Sequence, residues 1–365
     1  MATNEAMNWL DMLPEELSAA LKEMGQPAFR AKQVFSWLHK GRRPEEMSNL
    51  PKGLRETMAA SRPLGGVTIL DKRVSKLDGT AKYLFLLEDG NIVEGVLMRY
   101  RYGNTLCIST QVGCRMGCTF CASTLGGLVR NLRPGEILSE VLCVNREQME
   151  LSGNPKERAI TNLVLMGSGE PLDNYDNVLR FLRLVNDPEG ICISHRNISL
   201  STCGLTEKIV ELAKTGMGVT LSISLHAPND AMRRELMPVA RKYSIAQLMA
   251  AAREYVRITG RRVVFEYTLV RGKNDGEQQA RELAALLRGL QCHVNLIPLN
   301  EVKERGMEGT AIEGARAFQA LLEKLGVSAT IRREMGDDIE GACGQLRRSY
   351  LEKRVTADAP EKAQD

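Results

Sequence analysis

Three patterns of apolar and polar positions succeed one another along the chain. Up to about residue 65 the spacing is helical. Pro14-Glu-Glu-Leu17 opens one helix with acids in its first turn, and Gly25 closes it. Pro27 to His39 predicts a second, with Phe29, Val34, Phe35 and Leu38 on or near one face and Gly41 at its end, and a third follows Pro51. From Val67 to Arg99 the period falls to two, as in Ala81–Leu87 and Ile92–Met98, and Asp89-Gly90-Asn91 between those runs reads as a hairpin turn. From Asn104 onward, apolar strand-like runs alternate with helical ones. The candidate strands are Thr105–Thr110, Asn162–Met166, Asn197–Ser201, Val219–Ser224, Val263–Leu269, Val294–Ile297 and Val327–Ile331. The intervening helices are Pro134–Met149, Tyr175–Val185, Thr206–Lys214, Ile245–Ile258, Glu277–Leu287 and Ala311–Leu325.

Repeated strand–helix alternation means parallel strands joined by right-handed crossovers. Six or seven units fall short of a closed eightfold barrel, so the expected fold is α/β, a partial (β/α)6 barrel. The expected organisation is a helical accessory domain over 1–65, a β-hairpin extension over 66–103, the barrel over 104–348 and a frayed tail over 349–365. In such barrels the chemistry gathers at the carboxyl ends of the strands.

Composition changes this picture little. The 365 residues are 43% apolar and 26% charged, ordinary for a globular chain, with a net charge of +4. This mild basic excess permits an RNA partner without demanding one. Arg30, Lys32, Lys40, Arg42, Arg43, Lys52 and Arg55 on the N-terminal helices read either as a solvated basic face or as an RNA grip. No secretory signal opens the chain and no apolar run is long enough to span a bilayer, so no membrane association is expected. Nine cysteines, an odd number, suit a reducing compartment, and the cytoplasm is the expected location.

The informative cysteines lie just after the first barrel strand. Gly113-Cys-Arg-Met-Gly-Cys-Thr-Phe-Cys121 places Cys114, Cys118 and Cys121 at C-x3-C-x2-C spacing with no fourth thiol nearby. Three thiolates on one glycine-bearing loop suit a 4Fe-4S cluster whose fourth iron stays open. The competing reading, a structural zinc, favours two ligand pairs, and no second pair follows. The next strand ends carry Gly167-Ser-Gly-Glu-Pro171, Ser201-Thr-Cys-Gly204, Ser224-Leu-His226 and Pro298-Leu-Asn300. Each offers polar groups to the same mouth, although a lone histidine and a Gly-Pro turn both have ordinary structural uses. Cys343, flanked by Gly341, Ala342 and Gly344, reads equally as a reactive thiol or a structural one. Cys143, Cys192, Cys203 and Cys292 need no more than a packing role.

Thr105-Leu-Cys-Ile-Ser-Thr-Gln-Val-Gly-Cys-Arg-Met-Gly-Cys-Thr-Phe-Cys-Ala122 resembles the RlmN/Cfr family of radical S-adenosylmethionine (SAM) RNA methyltransferases. So do Arg130-Asn-Leu132, Gly167-Ser-Gly-Glu-Pro-Leu172, Ser224-Leu-His-Ala-Pro-Asn229 and the Gly336-Asp-Asp338…Ala342-Cys-Gly-Gln-Leu346 stretch. With Phe29-Arg-Ala-Lys-Gln33 and Trp37-Leu-His39 the likeness covers nearly the whole chain; Ser168 stands where some members carry a methionine.

The resemblance implies a 4Fe-4S cluster on Cys114, Cys118 and Cys121 and two SAM molecules per turnover. The SAM-binding positions it implies are Gly169, Glu170, Ser201, Ser224, Leu225, His226 and Asn300. Cys343 matches the thiol that first takes a methyl group, which a radical from the second SAM then converts to a methylene radical. That radical adds to an electron-poor adenine carbon and tethers the RNA to the protein. Glu94 matches the base that removes the ring proton. Cys107 matches the thiol that resolves the adduct by forming a disulfide with Cys343. The implied partners are 23S rRNA, tRNA and a flavodoxin-like electron donor, with the enzyme acting as a monomer. The resemblance favours C2 of adenine as the carbon methylated. Methylation at C8, a protein-modifying radical SAM activase and a zinc-stabilised RNA-binding module are the alternatives.

Overall fold

The computed structural model describes residues 7–154, 157–299 and 306–339, together with Leu346 and Tyr350. The N-terminal helices are α1 (Pro14–Glu23), α2 (Phe29–Leu38) and α3 (Lys52–Ser61). Glu16 reaches back to the Leu13 amide at 2.8 Å, satisfying a donor that the start of α1 leaves orphaned. This unit is bolted to the rest of the chain by buried polar contacts. Asp11 accepts from the Gly135 amide at 2.8 Å and so caps the first turn of α4 (Pro134–Ser152). A Cβ on Gly135 would stand 2.8 Å from Leu10 Cβ, so the close approach requires glycine there. Arg180, on α5 (Tyr175–Asn186), donates to Glu16 at 2.8 Å.

Three antiparallel strands follow, β1 (Val67–Val74), β2 (Ala81–Leu87) and β3 (Ile92–Tyr100), and β3 pairs antiparallel with β4 (Gly103–Cys107). The extension is therefore a three-stranded meander continuous with the barrel sheet, larger than the single hairpin expected. A separate two-stranded ribbon, β5 (Gln111–Gly113) and β6 (Leu128–Asn131), brackets the cysteine loop. The barrel continues parallel to β4 through β7 (Asn162–Leu165), β8 (Ile198–Thr202), β9 (Thr220–Ser224), β10 (Val263–Leu269), β11 (Cys292–Pro298) and β12 (Ala329–Ile331). Among the described residues these ten strands form one sheet, in the order β1-β2-β3-β4-β7-β8-β9-β10-β11-β12. It is the partial barrel expected, open where a closed one would add further strands.

The crossover helices after α5 are α6 (Thr206–Lys214), α7 (Asp230–Leu236) with α8 (Ile245–Thr259), α9 (Glu277–Leu287) and α10 (Ile312–Lys324). Leu163, Leu165, Leu200, Leu221, Ile223, Phe265 and Leu296 share the sheet's apolar core with helical residues such as Phe181, Leu212 and Leu283. The alternate positions are polar, as the strand period of two allows. Ser201 pairs with Ser222, and Ser224, Glu266, Asn295 and Thr330 form one row across β9 to β12.

A strap joins the two ends of this sheet. The Arg332 amide bonds to Leu296 O at 2.8 Å, just past β12. Four residues on, the Gly336 amide donates to Asp78 at 3.0 Å, in the turn between β1 and β2, and the Lys76 amide donates to Asp338 at 2.9 Å. Met335, midway, packs with Val96, Met98 and Cys107. Leu346 is fully buried against Leu84 and Ile92. Among the described residues no helix is long and apolar enough to cross a membrane.

Candidate active site

The cysteine loop hangs from the β5–β6 ribbon at the carboxyl end of β4. Gly113 has φ 77°, and a Cβ there would lie 2.0 Å from Gly127 O, so this turn excludes any side chain. The Cys114 amide bonds to Gly127 O at 2.9 Å, and the Thr124 hydroxyl donates to the carbonyls of Cys118 at 3.2 Å and Cys121 at 2.9 Å. The Thr119 amide reaches Leu236 O at 2.9 Å, fastening the loop to the end of α7. Cys114 and Cys118 are buried and Cys121 half-buried. Burial pushes the Cys114 thiol up to about 12, helped by the charges of Cys121, Glu170 and Asp173. The same causes, burial first, push Cys118 up as well.

These thiols therefore feel one another across the loop and need a positively charged group to draw off their protons. Among the described residues no three His, Cys, Asp or Glu side chains close on a single metal ion. A donor set of three thiols on one loop, mutually coupled but not converging on one ion, fits an iron–sulfur cluster whose irons each take one thiolate.

The next strand end is interlocked with this loop. Gly169 has φ 109°, and a Cβ would meet Gln111 Cβ at 2.6 Å, so glycine is required where the backbone crosses β5. The Glu170 amide donates to Gln111 Oε1 at 2.8 Å, while Gln111 Nε2 donates to Asp173 at 2.9 Å. Asp173 also pairs with Arg115 of the cysteine loop. The buried Glu170 carboxylate accepts from the amides of Leu172 at 3.0 Å and Cys203 at 2.6 Å. Burial raises its pKa against the pull of those hydrogen bonds. Its charge reaches Cys114 and Cys118, which puts the carboxylate beside the cluster-binding loop. A carboxylate so placed, with lone pairs left over, can accept from an ammonium group.

Ser201 and Ser224 sit half-buried at the ends of β8 and β9. The Leu225 amide bonds to Glu266 O at 3.0 Å. His226 holds φ 55°, a left-handed conformation uncommon for a non-glycine residue. Its Nδ1 accepts from the Thr268 amide at 2.9 Å, so Nε2 carries the proton, and its ring meets Phe120 edge-on at 4.8 Å. Burial, then the Arg233 charge, drives its pKa down to about 3. His226 is thus a neutral wedge between β10 and the cysteine loop.

Sequence reasoning missed Arg233. Its guanidinium is fully buried and donates to the carbonyls of Cys203 at 2.7 Å, Ser224 at 3.2 Å, Leu225 at 3.2 Å and Tyr243 at 3.3 Å. One side chain thereby ties the ends of β8 and β9 together. Glu266 was missed too; it is buried, accepts from Asn295 at 2.8 Å and has its pKa raised by burial. A lone charge in a short helix or a strand carries no sequence signal of burial.

Glu94 and Cys107 are brought onto one face of the sheet. Val96 pairs with Cys107 across β3 and β4, and Glu94 lies two residues before Val96, on the same side by strand alternation. Both are buried, and Glu94 forms an ion pair with Lys82 at 3.3 Å. The Ser109 hydroxyl donates to Glu94 O at 2.8 Å and accepts from the Ser168 amide at 3.0 Å, linking this face to the glycine-rich strand end. Asn300 and Cys343 lie outside the described residues.

Comparisons with known proteins fit this arrangement. Residues 108–284 match the radical SAM superfamily. Residues 7–62 match the ribosomal RNA large subunit methyltransferase N-terminal domain. A protein of Alkaliphilus metalliredigens named "Probable dual-specificity RNA methyltransferase RlmN" is 50% identical over 98% of this chain and 99% of its own length. One of the same name from Clostridium perfringens is 53% identical over 95% of this chain and 98% of its own. The crystal structure of a radical SAM methyltransferase from Sphaerobacter thermophilus superposes with a TM-score of 0.89 at 42% identity, covering 93% of this chain and 98% of that one. With identity at this level along nearly its entire length, and with the thiol loop and strand-end motifs in one mouth, the chain belongs to the RlmN family of radical SAM RNA methyltransferases.

Proposed function

We propose that this enzyme methylates C2 of one adenosine in 23S rRNA and of one adenosine in the anticodon loop of tRNAs, carrying the new carbon on Cys343. The observation that carries this reading is the shared sheet face of Glu94 and Cys107. A methyltransferase that simply passed a methyl group to a nucleophile would need neither a buried carboxylate nor a buried thiol there. Adenine C2 lies between two ring nitrogens and is a poor nucleophile, so its methylation calls for a radical. Bound to the three cysteines, the cluster with SAM supplies one-electron chemistry and a primary carbon radical.

The protein's own residues then divide the remaining work. Gly169 and Glu170 hold the amino end of SAM, while Ser201, Ser224, Leu225, His226 and Asn300 complete its site. Cys343 bears the carbon that becomes the methyl group. Glu94 takes the C2 proton. Cys107 attacks the sulfur of Cys343, forming a disulfide and freeing the RNA. The described flanks support this placing of Cys343: Met335 packs beside Cys107, and Leu346 packs on β2 and β3. Three residues of chain reach at most about 11 Å, which keeps Cys343 within that radius of Leu346.

The RNA partner is supported by the match of the N-terminal helices to a ribosomal RNA methyltransferase domain. Several of their basic residues are engaged locally, Lys32 with Glu189 at 2.9 Å and Arg42 with Glu46 at 2.9 Å. Arg30 stacks over the exposed Phe29 ring at 4.9 Å and Lys40 over Trp37 at 5.5 Å, and both pairs suit a nucleic-acid surface. A flavodoxin-like donor in the cytoplasm is the reductant that fits.

The test is anaerobic incubation of cluster-loaded protein with SAM, dithionite and unmodified 23S rRNA or tRNA, followed by nucleoside mass spectrometry. 2-Methyladenosine is expected. 8-Methyladenosine would move the site of attack to C8, and no methylated adenosine would overturn the reading.

A further inference from the structure

Lys82 stands in the middle of β2 with its side chain fully buried, and its Nζ lies 3.3 Å from Glu94 Oε2, itself buried. Lys82 faces Val96 across β2 and β3, and Val96 faces Cys107 across β3 and β4. Directly opposite Lys82 on β1 stands Arg73, a second cation. Burying an ammonium costs several kcal/mol, and a buried ion pair recovers that cost only with good geometry. Two apolar side chains of similar volume would serve a sheet core as well or better. A like charge across the strand pair makes the position less favourable still. Stability therefore does not account for lysine here.

The pair does have an evident use at a base. A carboxylate that must take a proton from a ring carbon needs one oxygen aimed at that carbon and a fixed orientation about its last torsion. Lys82 engages Oε2 and leaves Oε1 for the proton. It also compensates the carboxylate's charge in a face from which water is excluded.

We propose that Lys82 is the positioning residue for proton abstraction, holding Glu94 so that Oε1 points at the adenine carbon under attack. This rests on the proposed C2 chemistry. In the step it assists, the C2–H bond breaks, the proton passes to Glu94 Oε1 and the bonding pair stays with the ring. Lys82 itself does not touch the RNA.

The experiment compares wild-type enzyme with Lys82→Met and Lys82→Arg in a single turnover, using RNA carrying ordinary adenosine or adenosine deuterated at C2. Released RNA, protein–RNA adduct and 5′-deoxyadenosine are measured together. For Lys82→Met, 5′-deoxyadenosine formation should stay within about twofold of wild type while release slows by about 100-fold, the lower end of what a general base contributes. Adduct should accumulate, the deuterium isotope effect on release should rise, and Lys82→Arg should recover most of the rate. If Lys82→Met does not fold, Lys82→Gln, whose amide still donates to Glu94 without a charge, carries the same comparison. Release at the wild-type rate, or a parallel fall in 5′-deoxyadenosine and release with no change in isotope effect, overturns the assignment. Failure of the wild-type enzyme to form any adduct would instead overturn the proposed function.

Discussion

Arg233 donates to the carbonyl of Cys203 at 2.7 Å, so a side chain on α7 holds the end of β8 in place. The same guanidinium serves three further carbonyls, and together they shape the rim between the cysteine loop and the Ser224-Leu-His226 end. Replacing it by methionine would strand those carbonyls in a buried site. A stability loss of about 3–5 kcal/mol is expected for Arg233→Met, measured by urea unfolding. Arg233→Lys should recover little, since an ammonium lacks the planar fork that spans four acceptors. Full recovery by lysine would refute the bracing role.

Cys107 is buried beside Val96, Met98 and Met335, where a resolving thiol would be needed. With Cys107→Ala, radical addition should proceed and release should fail. A protein–RNA adduct should accumulate on denaturing gels, one per enzyme. Normal multiple turnover by this variant would remove Cys107 from the mechanism.

Gly169 cannot accept a side chain without moving β5, because a Cβ would sit 2.6 Å from Gln111 Cβ at φ 109°. Gly169→Ala should therefore displace Glu170 while the hydrophobic core is kept. SAM affinity, read by equilibrium binding, should fall at least tenfold, with a change in melting temperature of only a few degrees. Unchanged SAM affinity would mean that the amino end of SAM is held elsewhere.

Two buried histidines set an acid limit on the fold. Burial takes His39 down to about 3, and burial together with Arg233 takes His226 to about 3. Both are neutral when folded, whereas in the unfolded chain they bind protons near pH 6.5. The stability they confer is full above pH 6.5 and is lost as the pH falls from there towards 3. With both titrating, the slope is about 2.7 kcal/mol per pH unit. Urea midpoints measured at pH 7.5, 6.5 and 5.5 should be level over the first interval and drop over the second. His39→Gln should halve that drop, and an equal drop in the variant would contradict the assignment.

Much of this architecture is legible from periodicity. The helical runs Thr206–Lys214 and Glu277–Leu287 coincide with α6 and α9, because each has a clean apolar stripe and a defined start. The cysteine loop and the strand-end motifs are likewise readable, since their residue types are rare in combination. Three features are not. β5 and β6 are three and four residues long, too short to show a period, yet they aim the cysteines. α7, which carries Arg233, spans only seven residues. Lys82 occupies what reads as a solvent-facing position of an alternating strand, and it is buried because β2 is covered on both faces.

The strap from Arg332 to Ile339 has a kinetic consequence. It pins the chain at Asp78 on one side of residues 340–345, and Leu346 pins it on the other. A thiol on so short a doubly anchored segment meets Cys107 at an effective concentration on the order of millimolar or above, however dilute the enzyme. Adduct release in the proposed scheme is then a first-order event with no dependence on protein concentration, and a small thiol added from solution competes with Cys107 only as it approaches that same level.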